Sequence, residues 1–302
     1  MSNFLTFQNI YETVAIAIGD LNNARAVEIK AICNQIYLNE IMQCDPLYPL
    51  YWLIDEDVTK LSKVRATATA VTKANPPVVS SVAHGFASGD IVTAYEVTGM
   101  PELNYQTLVV VKDSANAFHL HTFAGADLDA SAYTAAGTAG YFHHRGVSLT
   151  NCQQVLHANW HGYNKGMSFI TPEQLEEQSS WLDVSMSRPI KMMHKQVYTS
   201  AGAQIDYLLW YQAADAEYHL RVWYVKQPDR LSAAGDIPIL PSQFHDAIIA
   251  GAITRLGENK VQVEAGVIWP SIYNKHLEAI RAFNREWWKK NKTYERSGLF
   301  LP

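Results

Sequence analysis

Asn75-Pro-Pro-Val-Val-Ser-Ser-Val-Ala-His84-Gly85-Phe-Ala-Ser-Gly89-Asp90-Ile-Val92 consists of short apolar pieces separated by turn residues. Pro, Gly, Asn and Asp set or permit turn geometry, so their frequent recurrence predicts short strands rather than helices. The pattern continues through Gly99-Met-Pro101, Asp113-Ser-Ala-Asn116 and Gly125-Ala-Asp127. Strands are expected near residues 78–82, 91–97, 106–112, 117–122 and 140–143. Upstream, Ala66-Thr-Ala-Thr-Ala-Val-Thr72 alternates small and β-branched residues. Strands at this spacing predict a small sandwich or barrel.

This stretch also differs in composition from its flanks. From about Arg65 to Arg145 there is none of the eight Trp and none of the three Cys, while Trp52 precedes it and Trp160 follows. It reads as a module, residues 65–146, set into a host made of residues 1–64 and 147–302. The host has another rhythm. Phe7, Ile10, Tyr11, Val14, Ile18 and Leu21 recur at helical spacing, and Asn22-Asn23 ends the run. A second helix carries Ile29, Ile32, Cys33 and Ile36 and stops at Asp45-Pro46, since Pro cannot continue a helix. Ser242 is read as the N-cap of a third helix, with Asp246 in its first turn and Phe244, Ile248, Ile249, Ile253 and Leu256 as its stripe. A fourth helix is expected over about 262–290, kinked at Pro270, with Ile272, Tyr273, Leu277, Ile280 and Trp287 on one face. Between the helix pairs, residues 190–198, 205–211 and 218–226 read as three strands with short turns, an antiparallel meander within about 188–226. The fold class is therefore α+β: a helical bundle formed by both chain ends, a central antiparallel β region, and an inserted all-β barrel.

Composition narrows the function classes. The 302 residues are 48% hydrophobic and 18% charged, as in a folded globular chain. The net charge of −5 does not suit a cationic nucleic-acid binder. Three scattered cysteines do not make a disulfide framework and fit a reducing compartment. Neither a secretory signal nor a membrane span is expected.

A search for chemistry yields no catalytic set, so no enzyme activity, no cofactor and no metal is expected. His157 and His161 are four apart, but the Glu of a zinc-protease helix is absent and so is a third ligand at a recognisable distance; a surface turn is the plainer reading. His143 and His144 lie side by side on a strand and should point to opposite faces. Asp55-Glu56-Asp57 lacks the alternation of a calcium loop and reads as a solvated helix end.

Charge is segregated along the chain. Residues 1–64 carry 4 basic and 8 acidic groups, whereas residues 275–302 carry 7 basic and 3 acidic groups. The sequence closes on Trp287-Trp-Lys-Lys-Asn-Lys292-Thr-Tyr-Glu-Arg296-Ser-Gly-Leu-Phe-Leu-Pro302. One reading is a solvated helix face followed by a frayed end. The other is a docking arm over about 289–302. In that arm Trp287 and Trp288 anchor, Lys289, Lys290, Lys292 and Arg296 meet an acidic surface, and Leu299, Phe300 and Leu301 fill an apolar groove.

Several landmarks resemble a known family. A Tyr-x-x-Val helix, then Ile29-Lys-Ala-Ile-Cys-Asn34-Gln-Ile and Tyr51-Trp-Leu, is similar to the start of head-to-tail connector (adaptor) proteins of tailed bacteriophages. So is Leu240-Pro-Ser-Gln-Phe-His-Asp-Ala-Ile-Ile-Ala-Gly-Ala252, followed by a long charged helix bearing Glu264 and Tyr273. The stretch quoted at the outset, with Val97-Thr-Gly-Met-Pro-Glu-Leu-Asn104 and Asp113-Ser-Ala-Asn-Ala-Phe118, resembles a small β-barrel of phage structural proteins. That barrel type is named for the first catalytic-cysteine half-domain of ubiquitin-activating enzymes; the segment contains no cysteine. The resemblance implies a structural virion protein at the head–tail interface, assembled in the host cytoplasm. It implies a dodecameric homo-oligomeric ring below the portal protein that extends the channel for DNA ejection and offers a surface to a tail or nozzle protein. DNA would pass without sequence-specific binding, and no membrane is involved. The alternative is another phage tail or baseplate protein whose insert serves adhesion or decoration.

Overall fold

The structure is a computed structural model that describes residues 4–20, 22, 24–162, 166–171, 173–174, 186–199, 202–258 and 265–291. The chain divides into two compact units, residues 1–55 with 225–302, and residues 56–224. Among the described residues it is a mixed α+β protein with four α-helices and two sheets, neither closed into a barrel. None of these helices is long and apolar enough to cross a membrane.

In the first unit, α1 (Phe7–Ala17) starts at a capping box. Thr6 Oγ1 accepts the Asn9 N–H, and Asn9 Oδ1 accepts the Thr6 N–H in return. α2 (Ala26–Gln35) passes into a π-helical turn, Ile36–Ile41, which keeps Ile36, Tyr37 and Ile41 buried. After a 3₁₀ turn at Ser242–Phe244 come α3 (Asp246–Glu258) and α4 (Ala265–Lys290), with Pro270 inside the latter. Ser242 supplies no side-chain cap, contrary to expectation, because the 3₁₀ turn comes first and α3 begins only at Asp246.

α3 touches α1, α2 and α4. Its Ala247, Ile248, Ala250, Ala252, Ile253 and Leu256 are all buried, so small residues are needed where neighbours come closest. At Gly251 an added Cβ would lie 2.6 Å from Ile36 Cγ2 and 2.8 Å from Tyr273 Cε2. Polar groups fasten the irregular segments. Buried Asn34 accepts the Leu231 N–H and donates to the Leu231 carbonyl, both at 2.9 Å. Buried His245 accepts the Leu5 N–H at 3.1 Å and donates from Nε2 to the Leu240 carbonyl at 2.9 Å. Burial holds this imidazole below its ordinary pKa, so it serves as a neutral bridge.

The strands run β1 (Ile54–Leu61), β2 (Ala66–Ala68), β3 (Ala70–Val71), β4 (Val78–Ser80), β5 (Asp90–Thr98), β6 (Thr107–Lys112), β7 (Ala117–His121), β8 (Ala139–Leu149), β9 (Cys152–Trp160), β10 (Ser168–Phe169), β11 (Lys191–Tyr198), β12 (Gln204–Tyr211) and β13 (His219–Lys226). One sheet has the order β1-β13-β9. The other runs β10-β11-β12-β8-β5-β6-β7-β4-β3, with β2 also on β8. Phe86, Phe118, Phe142, Val92, Val110 and Leu120 pack into the core of the β2–β8 region. Buried His84 fastens a turn there: Nδ1 accepts the Phe86 N–H, and Nε2 donates to the Ser114 carbonyl at 2.9 Å.

The strands of the expected barrel belong to a larger sheet that is not closed, in which β8 is the shared strand. One of its edges pairs with β5. The other is divided, with Gly140, Tyr141 and Phe142 on β2 and Gly146, Val147, Ser148 and Leu149 on β12. β8 also crosses the expected module boundary at residue 146. The expected meander is corrected too. β11 and β12 are antiparallel neighbours, but β12 has β8 on its second edge, so β13 joins β1 and β9. Asp55-Glu56-Asp57 lies on β1 rather than at a helix end; Asp55 pairs with Lys226 at 2.6 Å, and Glu56 pairs with Arg221.

β8 also carries a buried polar row. His143 packs edge-on against Tyr95, and His144 packs against Trp210. The Arg145 guanidinium donates to the Tyr95 hydroxyl at 2.6 Å. His144 Nδ1 accepts the Lys63 N–H at 2.8 Å, and Lys63 Nζ is 2.9 Å from Asp90. Burial pushes the Asp90 carboxyl up, but His144, the Ala87 N–H and Lys63 outweigh it and hold the group below its usual range. Burial, reinforced by the Arg145 and Arg65 charges, pushes His143 down to about 4.

Two outcomes follow from this packing. Gly251→Leu should destabilise the protein by roughly 1–3 kcal/mol, read as a lower urea midpoint, because the new side chain overlaps Ile36 and Tyr273. A neutral native His143 means that the unfolded chain binds the extra proton, so stability falls as pH drops from about 6.5 towards 4. The loss from this residue alone should be about 2 kcal/mol at pH 5, and melts of His143→Phe should show a correspondingly weaker acid dependence.

Candidate functional site at the end of the last helix

The face of α4 that docks in its own unit is set by Tyr273, Ile280, Asn284 and Trp288, all buried. These positions recur at helical spacing, but the stripe includes an asparagine and ends on Trp288, whereas Trp287 was expected to close it. Arg281 Nε donates to the Cys44 carbonyl at 2.7 Å. Fully buried Asn284 accepts the Tyr51 N–H at 3.1 Å and donates to the Tyr48 carbonyl at 3.3 Å. Arg285 reaches Asp45 at 3.2 Å, and Trp288 Nε1 donates to the Pro49 carbonyl at 3.0 Å. Residues 44–51 form no regular element apart from a 3₁₀ turn at Tyr51–Leu53, so this helix face supplies partners their backbone would otherwise lack.

The expected partner-binding residues fall into three groups. Trp288 is buried, edge-on to Trp287, and Trp287 stacks flat on Tyr51 with ring centres 4.7 Å apart. Both rings therefore anchor the helix end within its own unit. Lys289 and Lys290 are exposed, Lys290 beside Glu286 at 2.7 Å. Lys292, Arg296, Leu299, Phe300 and Leu301 lie outside the described residues. A second polar link ties α4 to α3 and the π-helical turn: the Tyr273 hydroxyl donates to Glu40 at 2.9 Å, and Arg255 holds the other Glu40 oxygen at 2.7 Å. Burial, followed by the Glu40 hydrogen bond and charge, raises the Tyr273 phenol well above its ordinary value.

The histidines singled out by spacing do not meet. His157 and His161 sit on and just past an extended strand, where four residues span about 13 Å. His157 is buried against Trp223, not in a surface turn, and burial lowers its pKa. Burial raises the Cys33, Cys44 and Cys152 thiols to about 12, 11 and 12, so all three stay protonated at neutral pH.

Sequence reasoning missed a cleft of about 590 Å³ in the second unit, lined by Tyr105, Phe123, Met193, His194 and Lys195 among others. Lys195 Nζ lies 4.0 Å from the Phe123 ring centre, and burial lowers its pKa. At the cleft, His194 pairs with Asp206 at 2.8 Å, and Gln204 donates to the second Asp206 oxygen at 2.9 Å. The strand pattern of β11 and β12 was legible, but their cross-strand register, which brings His194 and Asp206 together, was not.

Trp288→Ala should lower stability by roughly 3–5 kcal/mol in equilibrium unfolding, since it removes a buried ring and orphans the Pro49 carbonyl. Trp287→Ala, which leaves the buried ring in place, should cost less. No protein-family signature matches the chain, and no curated protein matches it.

Proposed function

We propose that this chain is a structural subunit of a phage head-to-tail connector. In this reading the helices of residues 1–55 and 225–302 form the bundle of a homo-oligomeric ring under the portal. The β2–β8 strands act as an appended barrel-like module, and the chain has no catalytic task.

The observation that carries the reading is the end of α4. Asn284, Arg285 and Trp288 fix it to residues 45–51, and Lys289 and Lys290 in its last turn are exposed. The sequence then continues through Lys292 and Arg296 to Leu299-Phe300-Leu301. An anchored, cationic helix end, followed in the sequence by apolar residues, fits the docking arm described above. Its charges add association rate and register, and its apolar end adds burial. The resemblance noted in the sequence supplies the partner, a portal ring, and the implied twelve-fold copy number. The overall charge of −5 accords with a channel that does not grip DNA phosphates.

Deleting residues 292–302 tests the proposal. The shortened chain should stay folded, because the Trp288 anchor remains. It should fail to join purified portal rings in size-exclusion chromatography and electron microscopy, where the intact chain forms a ring. Equal association by both chains overturns the arm, and failure of the intact chain to associate overturns the connector reading.

A further inference from the structure

β7 ends in a tight hairpin on the second unit. The Thr122 N–H donates to the Ala126 carbonyl at 2.9 Å and the Gly125 N–H to the Thr122 carbonyl at 3.0 Å, with Gly125 at φ +79°. A residue with a side chain is strained at that φ, so glycine suits the turn. The turn brings Asp127 directly opposite His121 in an antiparallel bridge. Successive side chains on a strand alternate, so His119 and His121 share a face, their ring centres 5.1 Å apart.

Ligand atoms of His119, His121 and Asp127 all lie within 4.8 Å of one another. His121 Nε2 is 2.8 Å from Asp127 Oδ1, yet this buried nitrogen makes no hydrogen bond of acceptable geometry. A buried imidazole nitrogen beside a carboxylate, with no hydrogen bond between them, is a group that a shared cation would satisfy. His119 Nδ1 lies 2.8 Å from Asp113 Oδ1, which leaves Nε2 as its ligating atom. A carboxylate behind an imidazole fixes its tautomer and strengthens it as a ligand.

We infer that His119, His121 and Asp127 form a binding site for a divalent transition-metal ion of the zinc class, with Asp113 as the residue that positions His119. Two imidazoles and one carboxylate favour such an ion over calcium or magnesium, which take oxygen ligands. Asp127 is half-exposed, so the remaining coordination is open to water. This departs from the sequence expectation of no metal. Cys152, His194 and Asp206 also cluster, but hydrogen bonds from His194 and Gln204 already engage the Asp206 carboxylate.

Isothermal titration of zinc into the full, chelator-stripped chain tests the assignment. One ion should bind per chain. His121→Ala should abolish the binding, and Asp113→Asn should weaken it about tenfold, as loss of an orienting carboxylate does. Cys152→Ser should leave it unchanged, and the cobalt form should show no thiolate charge-transfer band. If His121→Ala does not fold, His119→Gln takes its place. Absence of zinc binding, binding indifferent to His121 and His119, or binding lost in Cys152→Ser each overturns the site.

Discussion

A strand has two edges, and the second unit depends on how β8 uses both. Along one edge it pairs with β5; along the other it serves β2 first and β12 afterwards. Gly146 sits in the stretch that pairs on both sides, where an added Cβ would meet Ile91 Cδ1 at 3.0 Å and the Leu209 backbone at 3.1 Å. A single strand thus continues from the core around Phe118 and Phe142 to the core around Trp210 and Leu208. The buried row from His143 to Arg145 lies on this strand, and burial is affordable there because His144 and Arg145 have partners.

The first unit uses another device. Its helices meet closely where α3 carries Ala and Gly, and its irregular segments are held by buried amides and a neutral imidazole. Asn34, His245 and Asn284 each bond to backbone far away in sequence. Such contacts satisfy carbonyls and amides that no helix or strand would satisfy. Losing one leaves a buried group unpaired, which costs more than the bond's net contribution.

Much of the local structure was legible because periodicity reports local geometry. Phe7, Ile10 and Val14 marked α1, although it ends at Ala17, short of the expected stop at Asn22-Asn23, and alternation marked β11 to β13 within a residue or two of the observed ends. What failed involved partners. Short turns made β11, β12 and β13 look like a meander, because nothing in their own residues says that β8 occupies the second edge of β12. The stripe of α4 was assigned to Trp287 because a search for apolar residues passes over Asn284, whose burial rests on hydrogen bonds. Asp55-Glu56-Asp57 was polar enough to hide a strand whose charges are matched by Lys226 and Arg221. The pairing of His119 and His121 with Asp127 was hidden for a related reason. Two of the residues lie on one strand, but the third reaches them only through a hairpin turn.

The three cysteines have a use that their chemistry does not announce. Each thiol is buried and protonated, so an alkylating reagent reaches it only when the surrounding structure opens. Cys33 and Cys44 belong to one unit and Cys152 to the other. The rate at which each is modified therefore clocks the opening of its own unit, so the native sequence carries a built-in reporter of how independently the two halves breathe.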